Sequence, residues 1–331
     1  MANAIFSNLG AFLMAIIMTL VPTAGFSAPV MQTKNDNCSL NLVLVSDVHL
    51  EANGIFRQSF LKAALRRANN AKSKVDGIVC AGDITNYADE PALASYYDII
   101  TNYTDLPVVT AAGNHDIGHA GDRDVTDISR EEAMANVIRY QNAYAGTQNE
   151  HNYYATEING YKFIVLGDEC IDGGHWDAMD MSDEQLAFLD EQLAEGTREG
   201  KPCFVVSHWP ADGKTSENIV WPDSACDYDI ASIMEKYPNV IYISGHMHSG
   251  VKSTYMDKKY GITSAEKVNG VIYLSLPTLG VVNTFGLTGP GRGATLEIYE
   301  DSVVFRPINY LTGNWYENAE YTFDLTQNIV R

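Results

Sequence analysis

Short apolar runs alternate with amphipathic stretches along most of this chain. The apolar runs are mostly rich in Val and Ile and are bounded by Gly, Asp, Asn or Pro, which is typical of strands buried on both faces. They cover residues 40–46, 77–81, 107–111, 162–166, 202–207, 240–244 and 271–276. Helical spacing of apolar residues is found between them, at residues 58–71, 91–103, 130–145, 183–195 and 230–237. Two further runs, at 294–299 and 302–308, flank Glu300 and Asp301 and predict a closing hairpin.

This alternation predicts an α/β fold in which helices cover a mixed sheet in layers. A chain of 331 residues is long enough for one large α/β domain, and its hydrophobic content of 46% is ordinary for a globular protein. We assign residues 39–331 to that domain. Residues 29–38 are polar and unpatterned, and we interpret them as a linker. Nothing in the sequence specifies the oligomeric state.

Residues 1–28 have the features of an export segment. Residues 9–21 form an apolar run that fits the central region of a signal peptide and is too short to span a bilayer comfortably. No Lys or Arg precedes this run, and Pro29 follows the most obvious cleavage site, so an uncleaved N-terminal anchor stays open as an alternative. We expect a secreted, periplasmic or cell-surface protein whose only membrane tether would be this segment.

The net charge of the chain limits the kinds of molecule that it can bind. The chain carries 42 acidic against 22 basic residues, which gives a formal net charge of −20. Such a chain repels phosphate backbones at long range, and this argues against polymeric nucleic acid as its main partner. A small phosphorylated substrate is compatible with this charge only where bound divalent cations locally reverse its sign.

Metal-ligand residue types stand directly after five of the predicted strands. The motifs are Asp-Val-His, Gly-Asp, Gly-Asn-His-Asp, Ser-His-Trp and Gly-His-Met-His, in chain order. Each motif alone could be an ordinary turn with an exposed imidazole. Together they predict a metal site, because chance placement at five strand ends is improbable and strand carboxyl ends border the ligand crevice of α/β sheets. The residues concerned are Asp47, His49, Asp83, Asn114, His115, Asp116, His208, His246 and His248.

These motifs resemble the signature of the calcineurin-like metallophosphoesterases over roughly residues 40 to 250, and most closely the single-domain bacterial branch that includes cyclic-nucleotide phosphodiesterases. The resemblance implies a layered αββα sandwich with mixed sheets and a dinuclear metal site at the strand C-terminal ends. It implies that His115 is a catalytic histidine that binds no metal. The implied ligands are Asp47, His49 and His248 for one ion, Asn114, His208 and His246 for the other, and Asp83 as the bridge.

Purple acid phosphatases share part of this pattern, with two differences. They place a tyrosine three residues after the second aspartate, where this chain has Asn86. Their first motif also lacks the histidine that stands here as His49. A tyrosinate-ligated ferric centre is therefore not expected.

The donor set suits borderline divalent metals, since carboxylate, imidazole and amide oxygen ligands favour Mn²⁺, Fe²⁺ or Zn²⁺ over Ca²⁺. Two such ions about 3.5–4 Å apart can clamp the attacking and leaving oxygens of an in-line displacement, and a water between them loses a proton near neutral pH. The resulting metal-bridging hydroxide would attack phosphorus while His115, as general acid, protonates the leaving alkoxide. We expect the adjacent Asp116 to accept a hydrogen bond from the second ring nitrogen of His115.

The sequence thus predicts a metal-dependent phosphoesterase that hydrolyses small phosphomonoesters or phosphodiesters. A phosphodiesterase for cell-wall or lipid-headgroup substrates is an alternative. A non-catalytic, metal-clipped binding protein is another, although a spare histidine such as His115 argues against it. We expect substrate specificity to reside in the irregular segments 117–130, 171–181 and 209–229.

Overall fold

The computed structural model describes residues 30–118, 128–170, 178–215, 230–248, 264–281 and 290–326. In these residues, two six-stranded sheets pack face to face. Their strands are β1 (Leu40–Val45), β2 (Gly77–Ala81), β3 (Val108–Ala111), β4 (Tyr154–Ile158), β5 (Tyr161–Val165), β6 (Cys203–Val206), β7 (Val240–Ser244), β8 (Ala265–Val268), β9 (Val271–Ser275), β10 (Arg292–Ile298), β11 (Ser302–Asn309) and β12 (Tyr321–Asp324). Every strand predicted from an apolar run is therefore confirmed.

Both sheets contain parallel and antiparallel neighbours. The first has the order β12-β11-β10-β1-β2-β3, in which β1, β2 and β3 are parallel and β10 pairs antiparallel with β1. The second has the order β4-β5-β6-β7-β9-β8, in which β5, β6, β7 and β9 are parallel and β4 and β8 are antiparallel edge strands. The carboxyl ends of the parallel strands of each sheet lie at one edge, where a ligand crevice can form.

The facing sides of the two sheets form the centre of the core. Leu42 of β1 packs with apolar residues of the second sheet, whereas its neighbour Val43 packs with the helices outside the first sheet. Phe163 and Phe204, on neighbouring strands of the second sheet, stack with their ring centroids 4.5 Å apart. Because strands such as β1 are covered on both faces, their sequences are continuous apolar runs without alternation.

Five helices cover the outer faces of the sheets in the described residues. They are α1 (Ile55–Asn69), α2 (Glu90–Tyr103), α3 (Arg130–Ala145), α4 (Asp183–Gly196) and α5 (Ile230–Met234), and a short 3-10 helix spans Asn114–Ile117. Helices α1 and α2 pack on the first sheet, and α4 and α5 pack on the second. This order of layers confirms the predicted αββα sandwich. Ser182 begins α4 by accepting a hydrogen bond from the backbone of Gln185.

The segment before β1 packs on the domain. Met31 is buried in the core between the first sheet and its helices. The backbone N–H of Lys34 donates to Glu297 Oε2 at 2.8 Å. Part of the segment that the sequence predicts as a linker, residues 30–38, is therefore held by the domain. The predicted export segment, residues 1–28, lies outside the described residues. Among the helices of the described residues, none has the length and hydrophobicity that a membrane-spanning helix needs.

Candidate metal centre

All seven candidate ligands lie just beyond the carboxyl ends of strands. Asp47 and His49 follow β1, Asp83 follows β2, Asn114 follows β3, His208 follows β6, and His246 and His248 follow β7. Because the two sheets face each other, these segments meet at one edge of the sandwich and bring the seven side chains together. His246 and His248 are partly exposed, and the other five are buried.

The first ligand group contains Asp47, His49, Asp83 and His248. One ligand atom from each of these four side chains lies within 4.8 Å of those of the other three. His248 Nε2 is 3.0 Å from Asp47 Oδ1 and 3.2 Å from His49 Nε2. His49 Nε2 is in turn 3.4 Å from Asp83 Oδ2. These atoms surround a single point between the turns after β1, β2 and β7.

The second ligand group contains Asn114, His208, His246 and, again, Asp83. Asn114 Oδ1 lies 3.1 Å from His208 Nε2 and 3.1 Å from His246 Nδ1, and these two nitrogens are 3.2 Å apart. His208 Nε2 is 3.3 Å from Asp83 Oδ1. The two carboxylate oxygens of Asp83 therefore face different groups, Oδ2 the first and Oδ1 the second.

The spacing within each group fits a bound cation. Nitrogen and oxygen ligands bind such metals at about 2.0–2.2 Å, so neighbouring ligands of one ion lie roughly 3.0–3.4 Å apart at octahedral to tetrahedral angles. The contacts given above, from 3.0 to 3.4 Å, have this spacing. The carboxylate of Asp47 is fully buried, and the nearest cationic group among the contacts above is His248, whose Nε2 lies 3.0 Å from Asp47 Oδ1. Burial of such a carboxylate is costly unless a cation compensates its charge, so these residues fit two divalent cations.

Five of the seven candidate ligands have left-handed backbone conformations. Their φ angles lie between 49° and 68°, a region that residues other than glycine seldom occupy. These residues are Asp47, His49, Asp83, His246 and His248. Strain of this kind costs on the order of 1–3 kcal/mol per residue and is typical of functional sites, where the surrounding structure enforces it. Here the N–H of His49 donates to the carbonyl of Asp83 at 2.8 Å, which ties two of the strained turns together.

Two motif glycines make room for the ligands. A Cβ atom on Gly82 would lie 2.6 Å from His208 Nδ1, and Gly82 itself has a φ of 85°. A Cβ atom on Gly113 would collide with the Asp83 carboxylate. The glycines of the Gly-Asp and Gly-Asn-His motifs are therefore required by the close approach of neighbouring ligand turns.

The electrostatics of the centre favour the metal-binding forms of its side chains. Burial lowers the pKa of His49 and of His246 well below the usual histidine value, so both rings are neutral, as ligands must be. Burial would raise the pKa of Asp83, but the charges of His208 and His115 hold it well below the usual carboxyl value. Burial lowers the pKa of His208 and the Asp83 carboxylate raises it, to about 9, so a cation at Asp83 would take the place of that proton.

His115 stands beside both groups without belonging to either. Its Nε2 lies 3.9 Å from Asp83 Oδ2, and its side chain is 22% exposed. Its other ring nitrogen, Nδ1, is 2.8 Å from the backbone carbonyl oxygen of Asn86. The ring therefore reaches from a backbone anchor toward the accessible mouth of the centre. No sequence signal points to Asn86 as this partner, because every residue has a carbonyl group.

Asp116 does not contact the His115 ring, and the predicted hydrogen bond between them is wrong. Its Oδ2 accepts hydrogen bonds from the backbone of Gly113 at 2.8 Å and of Ile84 at 3.1 Å. Its Oδ1 accepts from the backbone and the hydroxyl of Thr85, at 2.7 and 3.0 Å. Successive side chains of a 3-10 helix lie about 120° apart. His115 therefore points toward the metal centre, whereas Asp116 points into the protein and holds the turn after β2 by hydrogen bonds.

We expect Asp116→Asn to lower the free energy of unfolding by roughly 1–3 kcal/mol, the usual cost of an unsatisfied buried polar group. Both oxygens of Asp116 accept hydrogen bonds from backbone N–H groups, so either orientation of the new amide places its NH₂ group against an N–H donor, and neither group then has an acceptor. Urea denaturation measures this loss, with Asp98→Asn, at an exposed position of α2, as the control that should change little. An unchanged unfolding free energy for Asp116→Asn would contradict the clamp.

Trp209 supports the second ligand group from inside the protein. This side chain is fully buried. Its ring meets the ring of His208 edge-on at a centroid distance of 5.3 Å and lies tilted against the ring of His246 at 6.1 Å. Packing of this kind restricts the orientation of both imidazoles, so Trp209 acts as a packing residue and does not line the cleft.

The fold and the two ligand groups together define a candidate dinuclear metal site at one edge of an αββα sandwich. Residues 40–250 match the sequence model of the calcineurin-like phosphoesterases, and the chain belongs to this family. Membership supports metal-dependent hydrolysis of a phosphate ester, with divalent metal ions as cofactors.

Two phosphatases are among the solved structures that share this fold. A dimetal phosphatase from Danio rerio superposes with a TM-score of 0.61 at 14% identity, covering 87% of this chain and 100% of that chain. A purple acid phosphatase from seeds of yellow lupin (Lupinus luteus) superposes with a TM-score of 0.54 at 14% identity. That alignment covers 86% of this chain and 53% of the lupin enzyme, so this chain spans about half of its length. A comparison with curated proteins gave no match.

Proposed function

We propose that this protein hydrolyses small phosphomonoesters or phosphodiesters with the help of two divalent cations. The observation that carries the proposal is the position of Asp83, whose Oδ2 lies 3.4 Å from His49 and whose Oδ1 lies 3.3 Å from His208. A carboxylate shared in this way can hold two ions side by side. Mn²⁺, Fe²⁺ or Zn²⁺ suits a donor set of carboxylate, imidazole and amide oxygen.

The ions and the protein have separate tasks in this proposal. Two divalent cations held by the two ligand groups would neutralise charge on the phosphoryl oxygens and would make a nucleophile available from water at neutral pH. Asp47 and Asp83 offset the cation charge within the buried part of the centre. His115 lies at the accessible side, where its Nε2 can give a proton to the leaving oxygen of the ester. The proton donor and the ligand groups therefore meet around one substrate position.

The wider properties of the chain support a small, soluble substrate. A net charge of −20 disfavours polymeric nucleic acid, whereas the two cation positions offer local positive charge to a single phosphate group. We place the protein outside the cytoplasm on the strength of the apolar run at residues 9–21. Any attachment to a membrane would then be through the N-terminal segment.

Activity toward two aromatic esters tests the proposal. The purified protein should hydrolyse p-nitrophenyl phosphate, bis(p-nitrophenyl) phosphate or both, lose this activity to a chelator, and regain it with added Mn²⁺, Fe²⁺ or Zn²⁺. The ratio of the two rates would give the preference for monoester or diester. A protein that binds two metals per chain and hydrolyses neither ester would contradict the proposal and favour a metal-clipped binding function.

A further inference from the structure

A chain of hydrogen bonds links the turn after β1 to the ring of His115. Arg57 Nη1 lies 2.8 Å from Glu51 Oε1, and the same carboxylate oxygen accepts a hydrogen bond from Asn86 Nδ2 at 3.0 Å. The backbone carbonyl of Asn86 then accepts from His115 Nδ1 at 2.8 Å. Arg57 Nη1 also donates to the carbonyl of His49 at 2.6 Å, so the network is tied to a candidate ligand turn.

The hydrogen bond between His115 Nδ1 and the carbonyl of Asn86 fixes the tautomer of His115. A carbonyl oxygen can only accept, so the proton in this bond belongs to Nδ1. The neutral ring therefore has its lone pair on Nε2, the atom that faces the centre, and a proton taken up by the ring resides on Nε2. Any residue that fixes the Asn86 carbonyl also fixes which nitrogen of His115 faces the substrate.

Asn86 is fixed on two sides. Its backbone N–H donates to the carbonyl of Leu50 at 2.9 Å, which aligns the turn after β2 with the turn after β1. Its side-chain amide donates to Glu51, and only this second bond depends on side chains that substitution can remove. The contact between the Asn86 amide and Glu51 therefore helps to orient the Asn86 carbonyl, which accepts the hydrogen bond from His115.

We infer that Glu51, acting through Asn86, is a positioning residue that holds the His115 imidazole with Nε2 toward the leaving group. This inference rests on the proposed function. Glu51 touches neither ligand group in the contacts described above, and its role is to orient the proton donor. Its side chain is 45% exposed, and an ion pair this exposed contributes little to folding stability, so its removal should leave the fold intact.

A comparison of two leaving groups can show whether Glu51 orients the proton donor or only supports the structure. Departure of p-nitrophenolate needs little help from an acid, whereas departure of ethoxide needs a proton. In Glu51→Ala and Asn86→Ala, kcat for ethyl phosphate should fall roughly 10- to 100-fold, the range typical of lost partners that orient a site. KM, the content of metal and kcat for p-nitrophenyl phosphate should stay close to the wild-type values, since neither variant removes a ligand. Glu51→Gln should restore kcat, because its amide oxygen can accept the same bonds.

A second measurement does not depend on turnover. Long-range proton–nitrogen correlation spectra of the zinc-loaded protein with ¹⁵N-labelled histidine report which ring nitrogen is protonated, and His115→Gln identifies the His115 signal. Wild type should show His115 protonated on Nδ1. Glu51→Ala should shift the signal toward a mixture of tautomers, and Glu51→Gln should not.

A control variant accompanies both measurements, and different results would overturn the inference and the proposed function. Glu90→Ala removes another exposed ion pair, with Arg139 on α3, and should change neither rate nor spectrum. Equal loss on both esters, loss of metal, or an unchanged His115 signal in Glu51→Ala would overturn the inference. A metal-loaded wild-type protein that hydrolyses neither p-nitrophenyl phosphate nor bis(p-nitrophenyl) phosphate would overturn the proposed function instead, and the tautomer measurement would still decide the role of Glu51.

Discussion

Asp83→Ala is expected to weaken the binding of both metal ions and to lower turnover sharply. The carboxylate oxygens of Asp83 lie 3.4 Å from His49 Nε2 and 3.3 Å from His208 Nε2, so the substitution takes one oxygen from each ligand group. It also removes negative charge that offsets two cations. Bound metal contributes several kcal/mol to transition-state stabilisation, and about 1.4 kcal/mol is a tenfold change in rate, so turnover should fall roughly 10³-fold or more. Elemental analysis and the ester assay measure the two losses.

Asp47→Ala is the matched control for this prediction. Asp47 belongs to the first ligand group, where its Oδ1 lies 3.0 Å from His248 Nε2. Both substitutions remove one buried carboxylate, so a general loss of stability would affect the two variants alike. Asp47→Ala should keep the ion of the second group, whereas Asp83→Ala should weaken both. Two ions per chain in purified Asp83→Ala would show that the bridging assignment is wrong.

The fold could be predicted where strands are covered on both faces. Strands such as β1 and β7 are buried along their whole length and therefore have continuous apolar sequences. The strands that the sequence does not predict are β4, β8 and β12, and all three lie at sheet edges. They are only partly buried. An edge strand with one face in solvent can carry polar residues, so its sequence resembles that of a loop.

The candidate ligands could be predicted because their chemistry and their position coincide. One Asp or His after a strand is ordinary, whereas such residues after five separate strands are not, and the carboxyl ends of strands border the ligand crevice of α/β sheets. The orientation of neighbouring side chains could not be predicted in the same way. Asp116 is adjacent to His115 in sequence, yet the 3-10 helix directs the two side chains to different surroundings. The pairing of Glu51 with Asn86 depends on the alignment of two turns, which no local pattern encodes.

The residues that select the substrate are the least predictable part of the chain. Sequence reasoning assigns specificity to segments 117–130, 171–181 and 209–229 because they are irregular and adjoin the motifs. Most of these residues lie outside those that the structure describes. The periodicity of apolar residues identifies helices and strands, so it predicts no conformation for an irregular segment. The identity of the leaving group therefore has to come from assays.

His115→Ala is expected to keep both metal ions and to lose turnover by roughly 10²–10⁴-fold, the usual contribution of an acid catalyst. The ring belongs to neither ligand group, since its Nε2 lies 3.9 Å from Asp83 Oδ2. The backbone N–H of His115 donates to Asp83 Oδ1 at 3.0 Å and is unchanged by the substitution, so the bridging carboxylate stays oriented. Elemental analysis should therefore give the wild-type metal content.

The loss in His115→Ala should depend on the leaving group. It should be full for ethyl phosphate and much smaller for p-nitrophenyl phosphate, because only the alkoxide requires protonation as it departs. His151→Ala is the matched control, since this exposed histidine stacks on Tyr153 at 4.6 Å and matches none of the metal-ligand motifs. Loss of a metal ion in His115→Ala would make His115 a ligand, and an unchanged rate on ethyl phosphate would exclude it from proton transfer.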